Sequence, residues 1–304
     1  MGNPSIDLNR RRALQLIAAI AGAASMNVSE AASPGGRTRV GVALGSGGLH
    51  GYAHIGVIRA FESLGFVPDV ITGSSVGAIA GVLWASGVPS ATIEKLANDP
   101  AWSGTSSGGW RFDSTMMERL RELIRSNVTV NDVSNLRVRF GAVATDVETG
   151  ELVLLDRGPP GAAVAASACV PLRHAPIIIG KRKLVDGALS APIPVDAARK
   201  LGADFVIAVD VAYRPYEEPL ESDGTTAIAF QMMHIMINRL IVEQIRRADF
   251  QIRLDLHAAM QGARGAHALI EVGERATHEA WPALQQLLSR RLRGQYDVPG
   301  TQSS

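Results

Sequence analysis

Gly73-Ser74-Ser75-Val76-Gly77 sets a serine between two glycines at the spacing G-x-S-x-G. It follows an apolar run, Val67-Pro68-Asp69-Val70-Ile71-Thr72, and precedes a run of small apolar residues from Ala78 to Ala85. A serine on a tight strand-to-helix turn projects its Oγ above the sheet edge, and the N-terminus of the next helix favours negative charge developing there. Glycine suits both flanks, because a Cβ would collide with neighbouring backbone in so tight a turn. Ser75 is therefore a candidate nucleophile.

Two other stretches carry chemistry. Val40-Gly41-Val42-Ala43-Leu44 reads as a buried strand and runs into Gly45-Ser46-Gly47-Gly48-Leu49-His50-Gly51, after which a helical pattern continues through Ile55, Val57, Ile58 and Leu64. A glycine-rich loop between strand and helix presents backbone N–H groups to a phosphate or an oxyanion. Downstream, Leu184-Val185-Asp186-Gly187-Ala188 places a carboxylate at the end of a short apolar strand.

In this order the three pieces resemble the patatin-like phospholipase family, which carries a glycine-rich oxyanion loop, a G-x-S-x-G elbow and a D-G-[AG] motif. The likeness extends to Ala144-Thr145-Asp146, to Ala166-Ser167-Ala168-Cys169-Val170-Pro171, and to Pro192-Ile193-Pro194-Val195 followed by Leu201-Gly202-Ala203-Asp204. It covers residues 38 to 290 and is greatest to bacterial single-domain members. The resemblance implies a serine hydrolase of lipid acyl esters, with Ser75 as nucleophile, Asp186 as base and the N–H groups of Gly47 and Gly48 as oxyanion hole. Gly45, His50, Gly51, Gly73, Gly77, Gly187 and Ala188 would support those motifs. One departure stands out. The family's loop reads G-G-G-x-[RK]-G, whereas this chain has Ser46-Gly47-Gly48-Leu49-His50-Gly51. His50 occupies the place of a fixed cation, and a histidine carries charge only near or below its ordinary pKa of about 6.5.

A serine hydroxyl needs a base to become a nucleophile. Asp186 is one option. The other is a histidine, since Ser75, Asp186 and a later histidine would follow the α/β-hydrolase order. Candidates are His174, His234, His257, His267 and His278, with His50 and His54 upstream. Asp146 and Asp210, each at a strand end, compete for the carboxylate role. No cluster has metal-ligand spacing, and no glycine loop is followed by Lys-Ser/Thr, so neither a metal nor a nucleotide cofactor is expected. A small-ester esterase or thioesterase on the same fold remains a second reading. A non-catalytic lipid- or nucleotide-binding protein, its glycine loop holding a phosphate, is a third.

These motifs must be positioned by alternating elements. Strands are expected near 38–44, 69–72, 137–144, 151–155, 176–179, 183–185 and 204–210. Helices are expected near 51–64, 76–86, 90–97, 115–125, 160–167, 194–201, 226–250 and 266–290. Val/Ile-rich strands separated by helices predict an α/β fold, a mainly parallel sheet covered by helices on both faces. A crossover from the first strand through helix 51–64 to strand 69–72 would bring the Gly47-Gly48 loop and Ser75 to one sheet edge, where such sheets bind ligands. Ile177 to Val185 reads as a hairpin with its tip at Gly180 to Arg182. Helix 226–250, rich in Ile and Met, is expected to be a buried core helix.

The chain has 304 residues, 46% of them apolar, so a large core is available. Its formal charge of +1 gives no reason to expect a nucleic-acid partner. No run of about 18 apolar residues occurs, so no transmembrane helix is expected. The single cysteine, Cys169, lies in a small apolar run and reads as a buried hydrophobe. Residues 1–35 differ in kind and read as an export signal and linker. Asn9-Arg10-Arg11-Arg12-Ala13-Leu14 precedes a mildly apolar stretch of about 12 residues, the pattern of a twin-arginine signal, which implies periplasmic delivery. Residues 36–293 form the hydrolase domain and 294–304 a polar tail. Substrates are expected to be lipids or other acyl esters. Trp102 and Trp110, in the Gly/Ser-rich loop from Pro100 to Asp113, open a further reading of peripheral membrane contact.

Overall fold

The computed structural model describes residues 37–99, 115–212, 214, 224–256, 259 and 265–294. The expected export segment, the tryptophan loop and the polar tail beyond Gly294 lie outside them. Among these residues, eight strands form one sheet: β1 (Val40–Leu44), β2 (Val70–Ser74), β3 (Arg139–Asp146), β4 (Leu152–Leu155), β5 (Ile177–Ile179), β6 (Arg182–Asp186), β7 (Phe205–Asp210) and β8 (Phe250–Arg253). Their order is β5-β6-β3-β2-β1-β7-β8, with β4 also paired to β3. The pairs from β3 through β2, β1 and β7 to β8 are all parallel. The pairs β3–β4, β3–β6 and β5–β6 are antiparallel.

The helices are α1 (Tyr52–Ser63), α2 (Val76–Ser86), α3 (Ser90–Asn98), α4 (Met116–Asn127), α5 (Pro160–Ser167), α6 (Val195–Lys200), α7 (Thr225–Ile245) and α8 (Gly265–Gly294). The pleat divides the strand side chains between two cores. Val42, Leu44, Ile207 and Val209 point into a cluster with Ile55, Phe61, Leu83 and Ile270 of α1, α2 and α8. Ala43, Val206 and Ala208 point the other way, against Val195 and Ala198 of α6 and Ile237 and Ile241 of α7. Both faces being buried, the strands read as continuous apolar runs rather than as alternating ones.

The sheet puts the sequence motifs together by register. Leu44 pairs with Gly73, so β1 and β2 end side by side. Positions 142 and 143 of β3 pair with β2 and also with β4, so those two strands lie on opposite edges of β3. Positions 144 and 145 pair with both β4 and β6, which places β6 on the same edge as β2. Ser74 therefore meets Val143, Asp186 meets the next residue, Ala144, and β2 and β6 come together end to end.

Two expectations at the C-terminal side need correction. Helix α7 ends at Ile245, not near 250, and the chain turns into an eighth strand parallel to β7. Asp249 makes that turn, its carboxylate accepting from the amide of Val206 and from Arg199. Nor is α7 a buried core helix: only Ile237 and Ile241 are buried, while Ile228, Met232, Ile235, Met236 and Val242 are exposed. Its length and a window of mean hydropathy 1.2 would suffice to cross a membrane, although polar residues interrupt its apolar run. The sheet is already covered there by α6, and α7 packs on α6 and on the turn after Asp186 with one narrow stripe.

Candidate active site

Ser75 sits between β2 and α2 with φ 54° and ψ −121°. A non-glycine residue held there costs about 1–3 kcal/mol and persists only where surrounding contacts impose it. Those contacts are close. A Cβ on Gly73 would lie 2.4 Å from the Gly77 carbonyl, and one on Gly77 would lie 2.2 Å from that of Leu44. The two glycines thus let the turn fold on itself and let α2 approach β1. The amide of Ser75 donates to Ser167 Oγ at 3.0 Å, which ties the elbow to the end of α5.

Asp186 ends β6 and is 3% exposed. Ser75 Oγ donates to its Oδ2 at 2.7 Å, and the Ala188 amide donates to Oδ1 at 2.8 Å. Its own amide donates to the Cys169 carbonyl, and its carbonyl accepts from Thr145 Oγ1. Gly187 is required by packing, since its Cβ would stand 2.2 Å from the Val143 carbonyl and 2.9 Å from Ser74 Oγ. Burial pushes the Asp186 carboxyl up to about 6, against the opposing pull of the Ala188 and Ser75 hydrogen bonds.

The glycine loop lies beside this pair. The amides of Gly45 and Ser46 donate to the carbonyls of Val209 and Pro192. Those of Gly47 and Gly48 meet no acceptor among the described residues. Gly47 presses on Val211, where a Cβ would fall 2.1 Å from the carbonyl oxygen. Gly48 has φ 54° and nothing within 4 Å of where a Cβ would be, so its surroundings are open. Gly51 packs on Val76, next to Ser75, and locks the loop against the elbow. His50 is 7% exposed, and its amide donates to the Gly47 carbonyl.

An apolar cavity of about 490 Å³, counting its open mouth, begins at Gly48 and Val76 and runs between Ile55, Leu83, Ile93 and Leu123. It touches the glycine loop at one end and the residue after Ser75 at the same end, so it adjoins both.

The competing groups have other partners. Among the described residues, the Ser75 hydroxyl bonds to Asp186 and to no histidine. His54 is fully buried and pushed down to about 4 by that burial, so its ring is neutral at neutral pH. Its Nε2–H donates to the Gly45 carbonyl at 2.8 Å and steadies the root of the glycine loop. His267 faces Glu94 and Glu271, and His278 approaches Ser63. His257 lies outside the described residues. Asp146 accepts from the Glu148 amide in the β3–β4 turn, while Asp210 accepts from the Ala212 amide and from Arg214. Cys169 is buried, its thiol pushed up to about 11 by desolvation and then by the neighbouring Asp186 charge.

Two contributors had no assigned role in the sequence. Ser167 anchors the amide of Ser75, the candidate nucleophile, and the Cys169 carbonyl anchors the amide of Asp186, the candidate base. The only sequence signal for Ser167 is a hydroxyl in an otherwise alanine-rich helix end.

Comparison with known proteins bears on this arrangement. An uncharacterized NTE family protein of Mycobacterium tuberculosis is 36% identical over 199 residues, covering 62% of this chain and 52% of that protein. A lysophospholipase of Coccidioides immitis is 28% identical over 181 residues, covering 57% of this chain and 11% of that protein. The chain thus spans about half the length of the mycobacterial relative and a small part of the fungal one. Among solved structures, VipD from Legionella pneumophila superposes with a TM-score of 0.48 at 13% identity, covering 80% of this chain and 67% of that one. The family model for patatin-like phospholipases matches residues 42–199, just over half of the 304, and takes in the glycine loop, the serine elbow and the Asp-Gly-Ala turn; the chain belongs to the patatin-like phospholipase family.

Proposed function

We propose that this protein hydrolyses acyl esters of phospholipids or lysophospholipids through a Ser75–Asp186 dyad. The hydrogen bond of 2.7 Å from Ser75 Oγ to Asp186 Oδ2 is the observation that carries this reading. As Ser75 Oγ attacks the ester carbonyl, its proton passes to Asp186 and the carbonyl π electrons move to oxygen. A carboxyl near 6 is suited to this exchange, because it is ionised at neutral pH yet basic enough to accept a proton. The tetrahedral oxyanion takes hydrogen bonds from the Gly47 and Gly48 amides; losing one such donor typically costs about 2.7–4 kcal/mol of transition-state stabilisation. Collapse breaks the bond to the alcohol oxygen, which leaves with the proton from Asp186. Water then attacks the acyl-enzyme by the same route and releases the free acid and Ser75.

The apolar cavity at Gly48 and Val76 suits the acyl chain, whose methylenes each gain about 0.8 kcal/mol on burial. The lysophospholipase activity in the name of the fungal relative supports a lipid ester as substrate.

Fluorophosphonate labelling of the purified protein, followed by an acyl-ester panel, tests the proposal. Wild type should label and cleave lysophospholipid, and Ser75→Ala should do neither while keeping its fold. Hydrolysis by Ser75→Ala near the wild-type rate would refute the assignment. Preference for short esters or thioesters over lipids would move the protein to the small-ester reading.

A further inference from the structure

Helix α7 carries an apolar stripe for which the catalytic site has no use. Ile228, Met232, Ile235 and Met236 recur at helical spacing and are exposed, Met236 at 66%. Soluble proteins seldom leave so many large apolar side chains together in water, and such a patch marks a contact surface. The patch continues toward the site mouth. Arg173 lies over the Phe230 ring at 4.5 Å, and beside it Leu172 is 68% exposed with φ 68°. His234, one turn further along α7, is pushed down by burial first and then by its neighbours Arg173 and His50, the latter in the glycine loop. Leu49, exposed in that same loop, adds another apolar group.

The charge pattern selects the occupant. From Thr225 to Val242 the helix has one fixed cation, Arg239, and no carboxylate, Glu243 just beyond being paired with Arg246, and Arg173 flanks it. A second copy packed stripe to stripe would bring Arg239 to a surface with no carboxylate between Thr225 and Val242 to pair with it, which disfavours such a contact. A layer of anionic headgroups over acyl chains would match both the cations and the apolar stripe. The flexible methionines suit a fluid partner with no fixed shape.

The helix is also held to the domain near its C-terminal end. Gln244 Oε1 accepts from the Ile193 amide, and its Nε2 donates to the Ser190 carbonyl, close to the Asp186 turn. Ile237 and Ile241 are packed into the core against α6. Despite its composition, α7 is therefore fastened to the domain through its C-terminal half and presents the other side outward.

We propose that the exposed side of α7, with Leu172, docks the protein on a membrane surface bearing anionic headgroups and faces the mouth of the active site toward it. The test uses the full chain and vesicles of ether-linked lipids, which no esterase can cleave, so the outcome is independent of the hydrolase reading. Wild type should co-sediment with phosphatidylcholine vesicles containing phosphatidylglycerol, and more weakly with phosphatidylcholine alone. The double variant Met232→Asp with Met236→Asp should bind more weakly by about tenfold per methionine, with an unchanged Tm. The single variant Leu172→Asp, outside the helix, should weaken binding in the same direction without any effect on α7 itself. Absence of vesicle binding by wild type, or equal binding by wild type and these variants, would overturn the proposal. So would a wild-type dimer in solution that the Met232 and Met236 substitutions dissolve, since the stripe would then belong to a second copy.

Discussion

Ser75 Oγ donates to Asp186 Oδ2 at 2.7 Å across 111 positions of sequence because β2 and β6 end against consecutive residues of β3, Val143 and Ala144. The Ser75–Asp186 contact is thus held by the register of one strand. The amides of Ser75 and Asp186 are each anchored besides, by Ser167 and by the Cys169 carbonyl.

The raised Asp186 carboxyl has two consequences for pH. Catalysis requires the ionised form, so kcat/KM should fall about tenfold per unit below about pH 6 and level off above pH 7. Stability should run the other way. Between about 3.8 and about 6 the folded state holds the proton more tightly than the unfolded chain, so folding is favoured at low pH and loses up to about 3 kcal/mol as pH rises through 6. Asp186→Asn should abolish turnover yet raise stability at pH 8 by up to that amount. Urea titrations at pH 5 and pH 8 check this; a variant less stable than wild type at pH 8 would contradict it.

The cavity beside Gly48 makes acyl length a measurable property. Ala80 lines it, and Ala80→Leu would fill space that two methylenes could occupy. The variant should lose about tenfold in kcat/KM on long-chain esters relative to butyrate. Equal losses on all chain lengths would place the acyl group elsewhere.

Glycines 77 and 48 should separate packing from conformation. Gly77→Ala drives a methyl toward the Leu44 carbonyl and should cost about 1–3 kcal/mol of stability. Gly48→Ala meets no atom but must hold φ 54°, a cost of about 1–2 kcal/mol. Its methyl would stand in the open space beside the loop amides, so turnover should drop by more than stability does. Denaturant midpoints and turnover, measured on the same preparations, discriminate between the two effects.

Export can be tested through Arg10 and Arg11, which lie outside the described residues. Replacing both by Lys should retain the precursor in the cytoplasm if the twin-arginine route is used. Unchanged periplasmic delivery would eliminate that route.

The local motifs were legible in the sequence because their chemistry is local. A nucleophile elbow needs glycine at 73 and 77, an anion-binding loop needs glycines such as 47 and 48, and a carboxylate clamped by its own second-next amide needs the Asp186-Gly187-Ala188 order. The parallel strands were legible too, because burial on both faces leaves continuous apolar runs. Which acid meets Ser75 was decided by tertiary structure. Asp146, Asp186 and Asp210 all end strands, and only the register along β3 brings Asp186 to the elbow while the others serve turns. The fate of α7 was decided there as well. Its composition fits a core helix, a spanning helix or a surface helix equally. With α6 already covering that face of the sheet, only Ile237 and Ile241 find a core to enter, and the rest of the apolar stripe is left facing outward.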